Sequence, residues 1–192
     1  HFVFPLSDQG RSIVDLVDYA QSIGAGSFAS FMLDLFATPR SFAKGFSGHR
    51  YFDPQYLRYP SVAPPFITVQ GGVRGRLTGR HFLITKSPLV RVDRDLHFTE
   101  NNHHHSYLTT SDVTTALLHY KFVGDTQHKF TEAVTRGEHF LGGRFYRDML
   151  ARMRGKGIRA GLWARRFRGV NQLQRLGLMT ASQSWQEWTN ND

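Results

Sequence analysis

The chain has 192 residues, 40% hydrophobic and 14% aromatic, enough apolar material for one packed domain and too much for a wholly disordered chain. It contains no cysteine, which excludes disulfides, zinc-finger cysteines and thiol nucleophiles. The formal net charge of +9 is unevenly spread, because ten basic residues and a single acid, Asp148, fall between Phe140 and Met179 while the rest of the chain balances. That stretch attracts phosphates, nucleic acid or anionic lipid without choosing among them.

No run approaches the ~20 apolar residues of a membrane-spanning helix. With His rather than Met at residue 1, the chain is expected to be a fragment or a processed product. Phe2-Val3-Phe4-Pro5 reads as the end of a buried strand. From Arg11 to Ile23, apolar residues at Ile13, Val14, Leu16, Val17, Ala20 and Ile23 have helical spacing, with Ser7 and Asp8 as cap candidates and Gly24 as the stop. Ser27 to Phe36 reads as a strand with Asp34 near its end. Thr38 to Pro65 mixes Gly, Pro and scattered aromatics without a sustained period and reads as a long loop or insertion.

Phe66 to Gln70 is a short strand running into a turn, Gly71-Gly72-Val73-Arg74-Gly75-Arg76. Extended pieces follow at His81 to Thr85 and Leu89 to Val92, and Val113 to Phe122 is β-rich at its start. Two helices are predicted, Thr126 to Arg136 and Gly143 to Arg154. In the second, Phe145, Tyr146, Met149, Leu150 and Met153 form one apolar stripe. The pattern predicts a mixed α/β chain with a helical, basic C-terminus.

The Gly71 to Arg76 turn suits an anion, since glycine admits backbone N–H groups close to it and guanidinium groups grip phosphate oxygens. A flexible hairpin with solvated arginines is the plainer account. In a strand, His119 and Lys121 share a face and could meet a metal and a phosphate together; a core histidine with an outward lysine is the plainer account. In Asn101-Asn102-His103-His104-His105 only His103 and His105 could converge on a metal, and the segment reads more simply as a polar surface loop. Asp93-Arg94-Asp95 fits an Asp-x-Asp metal motif and also a polar turn, which is the favoured reading. Gly-x-Ser-x-Gly, His-Glu-x-x-His and Asn-x-Ser/Thr motifs are absent from the sequence.

An ordered series of segments resembles the C-terminal part of a bacterial glycosyltransferase family 2-like protein, with the A-type nucleotide-sugar transferase fold. Phe2 to Pro5 resembles the residues after that family's metal-binding Asp-x-Asp-Glu strand, Leu16 to Gly24 its next helix, and Met32-Leu33-Asp34-Leu35-Phe36 the strand after. Gln70 to Arg74, Lys86-Ser87-Pro88-Leu89-Val90-Arg91, Leu117 to Phe122 and Arg136-Gly137-Glu138-His139 follow in order. Phe167-Arg168-Gly169 and Gln172 to Met179 resemble its terminal segment. The resemblance divides the chain into a partial transferase domain, 1–140, and a basic helical extension, 141–192.

The resemblance implies transfer of a sugar from a nucleotide-sugar donor to a carbohydrate or lipid-linked acceptor, with Mn²⁺ or Mg²⁺ on the diphosphate. His119 resembles a late metal-ligating histidine. Arg74, Arg76, Lys86 and Lys121 are implied as diphosphate contacts, Gly71 and Gly72 as the donor loop, and Asp34 as the acid for acceptor handling or general-base work. The family's Asp-x-Asp-Glu would lie before His1, so this piece is expected to be inactive alone. Cytoplasmic residence is expected, with peripheral contact at the inner membrane face. The competing class is a non-catalytic basic module, in which Trp163, Trp185 and Trp188 accompany the arginines on nucleic acid or an anionic membrane.

Overall fold

The computed structural model describes residues 1–38, 42–61, 66–80, 82–99, 104–107, 109–153, 158–159 and 161–191. It is a mixed α/β protein built around small mixed sheets. Among the described residues no helix is long and apolar enough to cross a membrane.

The central sheet has four strands in the order β1 (Phe2–Val3), β8 (Thr115–His119), β2 (Ser30–Asp34), β7 (Thr85–Lys86). β2 and β8 run parallel, in a register that sets Leu33 opposite Leu118 and Asp34 opposite His119. β1 and β7 are antiparallel to them on the two flanks. Four of the five β2 residues are buried, as a near-continuous apolar run requires when both faces of a strand are covered. Two smaller sheets accompany it. One has the order β3 (Phe36–Ala37), β4 (His49–Phe52), β9 (Arg165–Arg166), and the other pairs β5 (Tyr56–Pro60) with β6 (Ile67–Gly71).

Among the described residues there are also six α-helices, α1 (Ile13–Ser22), α2 (Gly72–Thr78), α3 (Thr126–Arg136), α4 (Arg144–Met153), α5 (Val170–Arg175) and α6 (Gln183–Asn191), and two 3₁₀ segments, Phe42–Gly48 and Phe140–Gly143. Phe31, Leu33 and Leu35 pack with Val170, Leu173 and Met179 of the C-terminal stretch. Leu16, Tyr19 and Phe28 pack with Trp185. Phe36, Phe122 and Phe130 pack with Met149 and Met153 from the stripe of α4.

Several local expectations are corrected. α1 is capped by Ser12, not by Ser7 or Asp8: Ser12 Oγ accepts from the Asp15 N–H (3.2 Å) and Asp15 Oδ2 accepts from the Ser12 N–H (2.6 Å), a reciprocal capping box. Residues 5–10 form turns, in which Ser7 Oγ accepts from the Phe4 N–H. The stretch expected as a long loop holds β4 and β5, whose few residues are too short to show a period.

The expected Gly71 to Arg76 hairpin turn is the start of α2, entered directly from β6. Gly71 and Gly72 take φ of 114° and 64°, and the Gly72 N–H donates to the Gln55 carbonyl at 2.7 Å. A Cβ on Gly71 would stand 2.5 Å from that same carbonyl oxygen. Only glycine fits so abrupt a change from strand to helix.

β8 ends at His119, so Lys121 lies in the turn beyond it and the shared-face argument for the two residues does not hold. Asp93 and Asp95 form the polar turn: the Asp95 N–H donates to Asp93 Oδ1, which also faces Arg91 through its other oxygen. His105 is buried with Nε2 3.2 Å from Ser87 Oγ, while His103 lies outside the described residues.

Candidate functional site

Parallel pairing of β2 with β8 puts their two last residues side by side, pointing to one face of the sheet. Carboxyl ends of adjacent parallel strands are where α/β folds place ligands. Asp34 is fully buried there. Its Oδ1 accepts from His119 Nδ1 at 2.5 Å, and its Oδ2 accepts from Arg74 Nε at 2.5 Å. Arg74 comes from α2, which crosses the sheet on this face, and its Nη2 reaches Met32 Sδ at 3.7 Å.

The electrostatics follow from that geometry. Burial raises the Asp34 pKa, but the Arg74 charge and the His119 hydrogen bond more than offset it, and the carboxyl is held below its ordinary value. An ionised Asp34 can only accept, so Nδ1 of His119 carries a hydrogen. The imidazole is thereby oriented with Nε2 outward. Its side chain is 36% exposed, and Nε2 has no partner among the described residues. Tyr56, on β5, brings a buried hydroxyl beside the cluster; burial and the Asp34 charge hold the phenol protonated, well above the ordinary value.

The other candidates separate into distinct places. Lys86, on β7, is close enough to feel the cluster: burial and then the Arg74 charge lower its pKa. Arg76, also on α2, is engaged away from it. Its Nε and Nη2 donate to the two oxygens of buried Asp53 (2.5 and 3.3 Å), Nη2 also reaches Gln55 Oε1, and the guanidinium lies 4.5 Å from the centre of the Trp163 ring. Lys121 donates to the Tyr146 hydroxyl at 3.0 Å and lies over the Phe130 and Tyr146 rings. Gly71 and Gly72 shape the entry to α2 and so set where Arg74 stands.

Asp53 and Tyr56 were not singled out from the sequence. Asp53 carries a weak signal, an acid directly after the aromatic pair Tyr51-Phe52; Tyr56 carries none.

An imidazole with a carboxylate behind it suits two chemistries at Nε2, proton acceptance and metal ligation. Among the described residues no three His, Asp or Glu side chains converge as a metal shell. No protein-family model, curated protein or solved structure matches the chain.

Proposed function

We propose that the chain is part of an enzyme that transfers a sugar from a nucleotide-sugar donor to a hydroxyl acceptor, with His119 at its reacting centre. The observation that carries the reading is the Asp34–His119 pair at the carboxyl ends of two adjacent parallel strands. The ordered segments from Phe2 to Met179 supply the reaction class.

Asp34 takes a different part from the one the resemblance implies. Both of its oxygens are engaged and it is closed to solvent, so it acts through His119 as a positioning residue. His119 is the group that meets substrate. Its Nε2 lone pair takes the proton of the acceptor hydroxyl as the oxygen attacks the sugar carbon, and Asp34 and Arg74 hold the ring for that transfer. Lys86 and Arg74 give the site a positive character suited to a leaving diphosphate. Mn²⁺ or Mg²⁺, where bound, would neutralise that diphosphate, and His119 Nε2 is the atom here able to ligate it.

The test is a transfer assay on the protein encoded by the complete gene, with a panel of nucleotide sugars and with Mn²⁺ or Mg²⁺ present. His119→Ala is expected to lower kcat by about 10²–10⁴-fold, the usual range for a lost general base. Asp34→Asn should lower kcat and alter the pH profile while leaving donor KM close to wild type. Transfer that survives His119→Ala would sink the proposal. A variant restored by raised Mn²⁺ would instead make His119 a metal ligand.

A further inference from the structure

A second cleft lies on the reverse side of the central sheet from His119. Two adjoining cavities, of about 350 and 460 Å³, share Ser47 and Arg50. Leu118 lines the larger one, and by strand alternation it points away from the face that carries His119.

The charge on this cleft is of one sign. Lys44, Arg50 and Arg166 line the smaller cavity, and Arg50 and Arg168 the larger. All four are exposed, no carboxylate lines either cavity, and no ion pair holds any of the four among the described residues. Like charges gathered without a counter-charge repel, and an anion placed among them relieves the repulsion. The cations also stand on fixed backbone. Arg166 is paired with Tyr51 across β4 and β9, and the Phe167 N–H donates to the Arg50 carbonyl at 2.6 Å. The Gln172 side chain then clamps both flanks, accepting from the Arg168 N–H (2.8 Å) and donating to the Arg166 carbonyl (2.9 Å).

The rest of the lining tells which anion. Leu118, Phe167 and Tyr120 form an apolar wall backed by buried Leu35, with Phe46, 66% exposed, against Tyr120 at its edge. Groups that could read a nucleobase or sugar hydroxyls are scarce. Ser47 Oγ donates to the Lys44 carbonyl, both His49 nitrogens face backbone carbonyls, and among the described residues no Asn, Gln, Asp or Glu lines the cleft. Cations at one end and hydrocarbon at the other match an amphiphile.

We propose that this cleft binds a lipid phosphate, a phosphate or diphosphate group carrying an aliphatic chain, with Arg50, Arg166, Arg168 and Lys44 on the phosphate and Phe46, Leu118 and Phe167 on the chain. The cleft lies across the sheet from His119, so this binding is separate from the acceptor position of the transferase reading and requires no transfer chemistry.

The experiment is calorimetric titration of the 192-residue chain with farnesyl phosphate below its micelle threshold, alongside inorganic phosphate and uridine monophosphate. Farnesyl phosphate is expected to bind at least tenfold more tightly than either control and to weaken as salt is raised. Arg50→Gln and Arg166→Gln should each weaken it about tenfold, and Leu118→Asn, in the apolar wall, by a similar factor, with circular dichroism confirming that each variant is folded. Flotation with phosphatidylcholine vesicles containing phosphatidic acid identifies the source: recruitment lost in Arg50→Gln means a headgroup in a bilayer is reached, and soluble binding alone means a free lipid phosphate. Uridine monophosphate binding as tightly as farnesyl phosphate, or affinity unchanged in Arg50→Gln and Arg166→Gln, overturns the proposal. His119→Ala should leave the affinity unchanged, which separates the failure of this site from failure of the transferase reading.

Discussion

Replacing Asp34 tests the cluster at the strand ends most directly. Its carboxylate is inaccessible, the Arg74 side chain is 11% exposed, and the two are joined at 2.5 Å. Removing one partner of such a pair strands the other charge in the interior, which costs about 3–5 kcal/mol. Asp34→Asn keeps an oxygen able to accept one hydrogen bond and belongs at the lower end, about 3 kcal/mol; Asp34→Leu keeps none and belongs at the upper end. For a chain of this size each kcal/mol moves Tm by roughly 2–4 °C, so Asp34→Asn should melt about 6–12 °C below wild type. Thermal unfolding by circular dichroism measures it. The decisive comparison is the double variant Asp34→Leu/Arg74→Met. If the cost of Asp34→Leu comes from an orphaned guanidinium, removing both charges restores much of the stability. A Tm for Asp34→Asn within about 2 °C of wild type, or a double variant less stable than Asp34→Leu alone, would refute the reasoning.

Three further outcomes are expected. Asp34 has a folded pKa below its unfolded value near about 3.9, so the stability it contributes is complete above that value and lost as pH falls through the lowered one; urea midpoints should therefore fall less between about pH 4 and pH 2 in Asp34→Asn than in wild type. Gly72→Ala should cost about 1–3 kcal/mol by urea unfolding, because φ is 64° and the new Cβ would sit 2.6 Å from the Tyr56 hydroxyl oxygen. Tyr56→Phe should not rescue it, since ring atoms at 2.8 Å remain; a neutral Gly72→Ala would show that the strand-to-helix corner tolerates a side chain. Trp185→Ala should lose about 3–5 kcal/mol, as the indole is fully buried against Tyr19, and a loss under about 1 kcal/mol would mean that α6 is dispensable to the core.

What could be read from the sequence was local, and what could not was the pairing between distant segments. α3 begins and ends where its pattern does because Asp125 caps it through the His128 N–H and Gly137 closes it in a left-handed conformation. The apolar stripe of α4 places Met149 and Met153 in the core as spacing demands. Asp34, Arg74 and His119 were each identifiable as groups able to carry chemistry. Nothing in their own neighbourhoods says that β2 and β8 lie side by side in parallel, which is what joins Asp34 to His119 across 85 positions. Arg76 shows the reverse case. Its partner Asp53 follows β4, in a stretch whose short strands gave no periodic signal, so an arginine held by an ion pair looked available for phosphate.

The basic stretch illustrates the functional weight of such pairings. As composition alone, ten cations between Phe140 and Met179 describe a charged tail, and a mobile tail binds polyanions in proportion to charge with little regard for shape. Here the same stretch sends Met149, Met153, Val170, Leu173 and Met179 into the core. Arg165 and Arg166 are stitched to β4, and Gln172 fixes the backbone on both sides of Phe167. Cations carried on backbone so constrained pay less entropy when they close on a ligand, and their spacing selects among anions. The reading therefore predicts a difference in kind: Gln172→Ala removes no charge, yet should weaken farnesyl phosphate binding several-fold while leaving the salt dependence unchanged, whereas Arg175→Gln, which lies beyond the cleft, removes a charge and should leave the affinity nearly intact.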